Sequence, residues 1–229
     1  MKMKILELFA GTECVSNAFR QRGHTAYTVD WNEKFPSSLH CDIGKISPAE
    51  LAEKSFIPDV IWAAPDCTTY SVAAISFHRR KNTETGELEP VSEYARQCDA
   101  INKNVLRIIR YFETINPELI WFIENPRGGL QKMGFMQKLE RFKHTITYCQ
   151  YQTDIPVAER RMKPTNIWTN HPSPEFAPPC KYGDPCHQST PRGSHRGTEG
   201  LKSKVEKSKY PELLCEHIAN ICENIIKPQ

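Results

Sequence analysis

The chain has 229 residues, enough for one ordinary domain of about 150 residues with an appendage. Hydrophobic residues make up 39% and charged residues 25%, a composition that excludes a disordered chain and a membrane protein. The formal charge of +3 is too small to indicate a polyanionic partner by itself, although a basic excess between residues 171 and 210 is compatible with a local basic surface. Nine scattered cysteines, an odd number, indicate a reducing cell interior rather than a disulfide framework.

Short apolar runs alternate with helix-period segments through the first two thirds of the chain, which is typical of a doubly wound α/β sheet. Strands are predicted at residues 4–9, 25–30, 57–64, 118–124 and 144–149. Most of these runs are continuously apolar, as expected when helices cover both faces of a sheet. Helices are predicted over residues 14–22, from near Ser92 to Pro117, and after Pro211.

Unusual residues follow the first two predicted strands. Phe9-Ala10-Gly11 leads into a helix, and a glycine there lets the backbone approach a ligand at the helix N-terminus. The second strand ends in Asp30, about 20 residues later, where nucleotide-binding sheets place an acid for ribose hydroxyls. Trp31 follows it and could stack on an adenine ring, although burial in the core is the commoner role of a tryptophan.

Two later strand ends carry reactive side chains. The third strand runs into Pro65-Asp66-Cys67, and the fourth ends in Glu124. Taken singly, most cysteines are inert and buried, and such an acid is often only a loop cap. Because the carboxyl ends of parallel strands meet at one edge of a sheet, Cys67 and Glu124 are expected beside the same pocket. This shared position favours a functional interpretation of both.

In this order the motifs resemble those of the cytosine-5 DNA methyltransferase family. The matching segments are Leu8-Phe9-Ala10-Gly11, Asp30-Trp31, Cys41-Asp42-Ile43, residues 59–71, Glu124-Asn125, residues 159–163 and the terminal helix from Ser208. The resemblance implies a Rossmann-like, S-adenosylmethionine-dependent methyltransferase sheet with a small irregular recognition insertion. It describes a compact member whose target-recognition region is shortened, and it leaves a phage origin open.

The chain departs from the family pattern at several positions. Asp66 stands directly before the cysteine, and its charge should raise the thiol pKa if it lies close. Glu13 occupies the place where a second glycine is usual, and Pro126 follows Glu124-Asn125 in place of valine. Lys207-Ser208 replaces a Gly-Asn pair, and the recognition insertion is much shorter than in typical members.

The resemblance also implies roles for individual residues. Cys67 would add to carbon 6 of cytosine, Glu124 in its acid form would hydrogen-bond ring nitrogen 3, and Arg161 would hold the carbonyl oxygen and position Glu124. The implied cofactor site consists of Phe9, Ala10, Gly11, Asp30, Trp31, Asp42, Ile43 and Pro65. Nucleic-acid contacts are expected from Ser71, Arg79, Arg80, Lys81 and Lys163, partly on a mobile loop at residues 72–90 that would close over a flipped or single-stranded base.

The implied division of the chain is a catalytic and cofactor-binding core at residues 1–169, a target-recognition segment at 170–207 and a C-terminal helix at 208–229 that packs back on the core. The middle segment contains Cys180, Cys186, His187 and His195. These could bind zinc, or they could be incidental side chains of a proline-rich loop. The Cys-x5-Cys-His spacing is not a standard zinc pattern, so the sequence assigns no metal.

Three functions remain open at this point. The first is methylation of cytosine carbon 5 in DNA, with S-adenosylmethionine as cofactor. The second is the same chemistry on RNA or on single-stranded or modified nucleic acid, which the small insertion and Asp66 favour. The third is a catalytically silent cofactor- and nucleic-acid-binding module, against which Cys67 and Glu124 argue. We expect a monomer without membrane contact or obligatory protein partner, in a bacterial cytoplasm or, if phage-encoded, that of the host. The recognition sequence and any paired restriction enzyme stay open.

Overall fold

A computed structural model of the chain describes residues 2–189 and 204–226. Their strands are β1 (Lys4–Leu8), β2 (Thr25–Asp30), β3 (Leu39–His40), β4 (Val60–Ala63), β5 (Arg79–Lys81), β6 (Leu88–Pro90), β7 (Ile120–Pro126), β8 (Lys143–Thr147) and β9 (Pro164–Thr169). Their helices are α1 (Cys14–Gln21), α2 (Pro48–Lys54), α3 (Ile75–His78), α4 (Glu93–Ile115), α5 (Gly134–Gln137), α6 (Lys204–Ser208) and α7 (Glu212–Ile226).

Within the described residues, seven strands form one sheet in the order β3-β2-β1-β4-β7-β9-β8. The first five of these are parallel, whereas β9 pairs antiparallel with both β7 and β8. The predicted α/β, Rossmann-like fold is confirmed. The chain extends the sheet from β1 to one side, through β2 and β3, and then returns to the other side of β1 with β4. Ligands of such sheets bind beyond the carboxyl ends of the two strands at this switch point, here β1 and β4.

The two faces of the sheet bury different helices. Leu6 of β1 and Ile61 of β4 belong to a core that includes α4, whereas Trp62 and Phe122 belong to a second core with α1 and α7. Because side chains alternate along a strand, Glu124 lies on the same face as Phe122. The strand pattern therefore directs Glu124 toward the α7 side of the sheet.

Local signals set the ends of α4. The Ser92 hydroxyl accepts a hydrogen bond from the Ala95 amide at 3.1 Å, which satisfies one unpaired donor of the first turn. Pro117 follows two residues after Ile115, the last helical residue, and its ring cannot continue the helix. The predicted helix from Ser92 is confirmed.

All five predicted strands are present, one with the predicted ends (Thr25–Asp30) and four with shifted ends, but four others are not predicted from the sequence. β9 begins at Pro164, within a proline-rich stretch that the sequence pattern predicts to be irregular. Part of the predicted loop at residues 72–90 is an ordered hairpin of β5 and β6. Residues 170–189 contain no helix or strand, and residues 190–203 of the predicted recognition segment lie outside the described residues. Within the described ranges, we find no helix with the length and apolarity needed to cross a bilayer.

Candidate active site

Cys67 and Glu124 leave the carboxyl edge of two adjacent strands. β4 pairs in parallel with β7, with Ala63 opposite Ile123. The chain after β4 passes through Pro65 to the half-buried Cys67. The side-chain amide of Asn125 donates to the Pro65 carbonyl at 2.9 Å. This hydrogen bond joins the two strand ends and fixes the loop that carries Cys67.

Two tyrosine hydroxyls hold the buried carboxyl group of Glu124. Tyr148 lies 3.4 Å from Oε1 and Tyr210 lies 3.2 Å from Oε2, and Glu124 is only 5% exposed. Burial raises the pKa of Glu124, and the Lys163 charge and the two hydroxyls oppose that rise only in part. The setting therefore favours the acid form, which can donate a hydrogen bond to a ring nitrogen.

The thiol of Cys67 is protonated at neutral pH. Burial, followed by the nearby charge of Glu124, raises the pKa of Cys67 to about 11. Lys163 opposes this shift, because a cation stabilises the thiolate. The charge of Lys163 therefore lowers the pKa of both the Cys67 thiol and the Glu124 carboxyl group.

Asp66 is turned toward the helices rather than toward the sulfur. Its Oδ1 accepts from the Thr68 amide at 2.6 Å, and its Oδ2 accepts from the Tyr94 hydroxyl at 2.6 Å. The expected effect on the neighbouring thiol is present but small, because Asp66 raises the pKa of Cys67 less than burial and Glu124 do.

Arg161 differs from its expected role. Its guanidinium donates to the backbone carbonyls of Glu206 and Lys209, both at 3.2 Å, so it anchors the segment that leads to α7. The hydrogen bonds to Glu124 come from Tyr148 and Tyr210 instead. In this structure Arg161 is a support of the C-terminal segment, because its donors are directed to that backbone.

A cavity of about 280 Å³ lies next to these residues at the same sheet edge. It is lined by Phe9, Trp31, Cys41, Asp42, Ile43, Asp66, Tyr94, Cys98, Ile101 and Asn102. Four predicted cofactor residues are among them: Phe9, Trp31, Asp42 and Ile43. Because Asp66 also lines the cavity, the space reaches the residue that precedes Cys67.

The other predicted cofactor residues, Ala10, Gly11, Asp30 and Pro65, do not line the cavity. Ala10 and Pro65 are buried. Asp30 accepts from the amides of Gly11 at 2.9 Å and Asn32 at 2.8 Å, and each oxygen keeps further acceptor capacity. The turn after β1 has positive φ at Gly11 (+49°), a conformation that glycine adopts without strain.

Glu13 also adopts a left-handed conformation, with φ +53°. A glycine would take it freely, whereas a glutamate needs support from its surroundings. The Thr28 hydroxyl and the Arg20 guanidinium bond its two carboxyl oxygens at 2.6 and 2.9 Å. The substitution therefore keeps the backbone geometry of a glycine and ties α1 to β2.

Comparison with known proteins finds similarity to one curated sequence and to several solved structures. No protein-family model matches the chain. A curated relative from Frog virus 3, named a probable DNA (cytosine-5)-methyltransferase, is 27% identical over 174 residues, which cover 73% of this chain and 71% of the relative. The chain is similar to this cytosine-5 methyltransferase over most of its length.

Solved structures include more distant similarities. The S. pombe Dnmt2 methyltransferase is 13% identical with a TM-score of 0.45, and the alignment covers 73% of this chain and 49% of that one. The Entamoeba histolytica methyltransferase EhMeth is 15% identical with a TM-score of 0.46, over 73% and 52%. A mutant of Spodoptera frugiperda DNMT2 is 15% identical with a TM-score of 0.45, over 79% and 54%. The chain therefore spans about half the length of these solved chains.

The cavity and the turn beside it have side chains that could hold S-adenosylmethionine. Trp31 offers an exposed aromatic face for an adenine, being 72% exposed. Asp42 and Asp30 supply acceptors for amino and hydroxyl groups. The open turn at Gly11 has no atom within 4 Å of where a Cβ would stand, which leaves room for a ligand beside the backbone. The residues present fit this cofactor.

The basic residues predicted to contact nucleic acid separate into two groups. Arg79 is wrongly predicted, because its fully buried side chain forms an ion pair with Asp99 at 2.7 Å and stacks on Tyr70 at 4.1 Å. Arg80 and Lys81 are exposed on β5 and available to a phosphate backbone.

Ser71 and Lys163 are the other two residues predicted to contact nucleic acid. Ser71 ends the short helical turn that begins after Cys67. Lys163 is buried, and its ammonium group lies 4.8 Å from the centre of the Tyr148 ring. Its position within the core of the site, rather than at the surface, favours an electrostatic role over a phosphate contact.

The sequence interpretation missed Tyr148 and Tyr210. Tyr148 follows β8, and Tyr210 precedes α7, at separations of 24 and 86 residues from Glu124. No local motif marks either residue as a partner of a carboxyl group. Only the tertiary structure brings them together, because β8 lies two strands from β7 in the sheet and α7 packs against the face that carries Glu124.

Proposed function

We propose that this protein transfers a methyl group from S-adenosylmethionine to carbon 5 of cytosine in DNA through a covalent Cys67 adduct. One observation carries the proposal: a half-buried thiol lies beside a buried Glu124 whose raised pKa favours the acid form. A cofactor-sized cavity opens at the same edge of the sheet. Similarity to the Frog virus 3 relative supports methyl transfer to cytosine as the reaction class.

The chemistry assigns complementary tasks to the two side chains. Carbon 5 of cytosine is a weak nucleophile, and a thiolate that bonds to carbon 6 makes it reactive. Glu124 in its acid form hydrogen-bonds nitrogen 3 and stabilises the negative charge that develops in the ring. Bound S-adenosylmethionine would supply the electrophilic methyl group. Loss of the carbon 5 proton and cleavage of the carbon–sulfur bond then free Cys67.

The thiol must lose its proton before it can attack. With a pKa of about 11, Cys67 needs a stabilising charge at neutral pH. Lys163 is the group that supplies it, because its positive charge lowers the pKa of the thiol. We assign Lys163 to stabilisation of the Cys67 thiolate.

We favour DNA as the substrate for two reasons. The Frog virus 3 relative is named for DNA, and Arg80 and Lys81 form an exposed basic pair on the hairpin that follows Cys67. The reacting atoms of cytosine are shielded in a stacked duplex, so the base must be flipped or already single-stranded.

A covalent trapping experiment tests this function. The protein is incubated with tritiated S-adenosylmethionine and cytosine-containing duplex DNA, single-stranded DNA or RNA, each with and without 5-fluorocytosine. Fluorine cannot leave as a proton, so a denaturation-resistant complex should accumulate on DNA. Cys67→Ser should abolish it, whereas Cys222→Ala, a buried cysteine on α7, should retain it.

The other outcomes separate the competing functions. Label and adduct on RNA alone would overturn DNA as the substrate and favour an RNA methyltransferase. No transfer and no adduct on any of the three substrates would instead indicate a silent binding module. Persistence of the adduct in Cys67→Ser would refute the assignment of the nucleophile.

A further inference from the structure

Four possible metal ligands meet outside the candidate active site. The sulfur atoms of Cys149, Cys180 and Cys186 and a ring nitrogen of His187 all lie within 4.8 Å of one another. The Cys149 sulfur is 3.1 Å from that of Cys180 and 3.7 Å from that of Cys186. The His187 Nδ1 is 3.3 Å from the Cys186 sulfur and 3.7 Å from the Cys180 sulfur. These atoms surround one point.

The backbone brings the ligands together from two parts of the chain. Cys149 lies just beyond β8, while the other three belong to residues 170–189, which form no helix or strand. The Cys180 amide donates to the Thr147 hydroxyl at 2.9 Å, which fixes the segment against the end of β8. A turn closed by the Asp184 amide and the Lys181 carbonyl at 3.1 Å then returns the chain so that Cys186 faces Cys180.

We propose that Cys149, Cys180, Cys186 and His187 bind a structural zinc ion. Three sulfurs and one imidazole nitrogen are a common tetrahedral donor set for zinc, with about 2.3 Å to sulfur and about 2.0 Å to nitrogen. Such bond lengths place neighbouring ligands about 3.5–3.8 Å apart, so the observed separations, from 3.1 Å up to 4.8 Å, require shifts of about 1 Å or less.

Burial and contacts around the ligands agree with a structural ion. Cys149, Cys180 and His187 are at most 9% exposed. Four protein ligands fill a tetrahedron and leave no position for a substrate. The Ser189 hydroxyl lies 3.5 Å from His187 Nε2, on the side of the ring away from the sulfurs, where an outer partner orients a metal-binding histidine.

The ion would compensate for the missing secondary structure of residues 170–189. A segment without helix or strand has few backbone hydrogen bonds to hold it, and a metal clip supplies the stability instead. The clip also lies next to the candidate active site, because Cys149 directly follows Tyr148, the partner of Glu124. The sequence interpretation assigned no metal because the Cys-x5-Cys-His spacing is not a standard zinc pattern. Cys149, which completes the set, is 31 residues from Cys180. His195, its fourth candidate, lies outside the described residues.

Metal analysis of the full chain tests the proposal. Protein produced with zinc and purified under reducing conditions without chelators should contain one zinc ion per chain by mass spectrometry of the metal. Cys186→Ser, at a half-buried ligand, should lose most of it. Cys222→Ala, which removes a buried thiol outside the cluster, should keep it.

Two further measurements on the unmodified protein test the zinc site even if the Cys186→Ser variant fails to fold. Replacement of zinc by Co²⁺ in the unmodified protein should give the sulfur-to-cobalt charge-transfer and intense d–d bands of a tetrahedral thiolate site. A strong chelator should lower the melting temperature of the unmodified protein and leave that of Cys186→Ser unchanged. A metal-free native protein with all nine thiols reduced would overturn the proposal, as would a Cys149 disulfide found by peptide mapping.

Discussion

Tyr210 donates a hydrogen bond from its hydroxyl to Oε2 of Glu124 at 3.2 Å, across 86 residues of sequence. This contact joins the segment before α7 to the end of β7, and it orients the carboxyl group that we expect to face the substrate ring. Tyr210 is therefore a positioning residue.

Tyr210→Phe should lower kcat about tenfold, the effect of losing one hydrogen bond of about 1.4 kcal/mol, with KM little changed. Because the hydroxyl lowers the pKa of Glu124, its removal should also move the alkaline limb of the pH–rate profile to higher pH. Tyr111→Phe on α4 is the matched control. An unchanged profile in Tyr210→Phe would count against the positioning role.

Lys163 should control the ionisation of Cys67. Lys163→Met removes a charge that lowers the pKa of the thiol, so the alkylation rate of Cys67 by iodoacetamide should rise only at higher pH than in the unmodified protein. Lys163→Arg, which retains the charge, should shift the profile less. Mass spectrometry of the peptide that contains Cys67 measures this rate separately from the other thiols. Identical profiles for Lys163→Met and the unmodified protein would contradict the assignment.

The neighbouring basic residues Arg79 and Arg80 should behave oppositely. Arg79→Ala breaks the buried ion pair with Asp99 and should reduce the free energy of unfolding by about 3–5 kcal/mol. Arg80→Ala and Lys81→Ala should leave stability unchanged but weaken DNA binding and lower its salt dependence by about one ion per residue. Urea unfolding and fluorescence anisotropy at several salt concentrations distinguish the two effects. Stable Arg79→Ala with weakened DNA binding would reverse this interpretation.

Trp31 should contribute to cofactor affinity without contributing to stability, because it is 72% exposed yet lines the cavity. Base–aromatic stacking contributes about 1–3 kcal/mol, so Trp31→Ala should weaken binding of S-adenosylhomocysteine roughly 5- to 150-fold by calorimetry. Phe77→Ala, at an aromatic residue that is 76% exposed and does not line the cavity, serves as the control. Equal affinities for both variants would exclude stacking on Trp31.

Glu7 should make the folded state less stable above neutral pH. Burial raises its pKa from 4.5 to about 7, so between these values the unfolded chain loses a proton that the folded chain keeps. Stability therefore falls as pH rises from about 4.5 to 7, by on the order of 3 kcal/mol.

Glu7→Gln cannot ionise, and its amide oxygen can still accept the 2.8 Å hydrogen bond from the Ser16 amide. The variant should be more stable than the unmodified protein at pH 8, with a smaller difference at pH 5, by urea unfolding. Glu53→Gln, on the exposed surface of α2, should show no such pH dependence. A constant difference at both pH values would argue against titration of Glu7.

The sequence by itself determined the architecture and the residues at the sheet edge. Continuous apolar runs predict buried parallel strands, and all five that were predicted exist. Gly11, Asp30, Cys67 and Glu124 could be found because each lies near or just beyond the carboxyl end of a strand, and parallel strands bring such positions to one edge. These signals are local, so no knowledge of packing was needed.

Only the tertiary structure decided what the cations and the distant partners do. Arg79 and Arg80 are neighbouring residues of the same type. Arg79 is buried in an ion pair with Asp99, which lies 20 residues away in sequence, whereas Arg80 is exposed. Likewise, Tyr210 reaches Glu124 because α7 packs against one face of the sheet, and Cys149 reaches Cys180 because residues 170–189 pack against the end of β8. The sequence gives the charge and the functional group of each side chain, but the partner of that side chain depends on which surfaces the fold buries together.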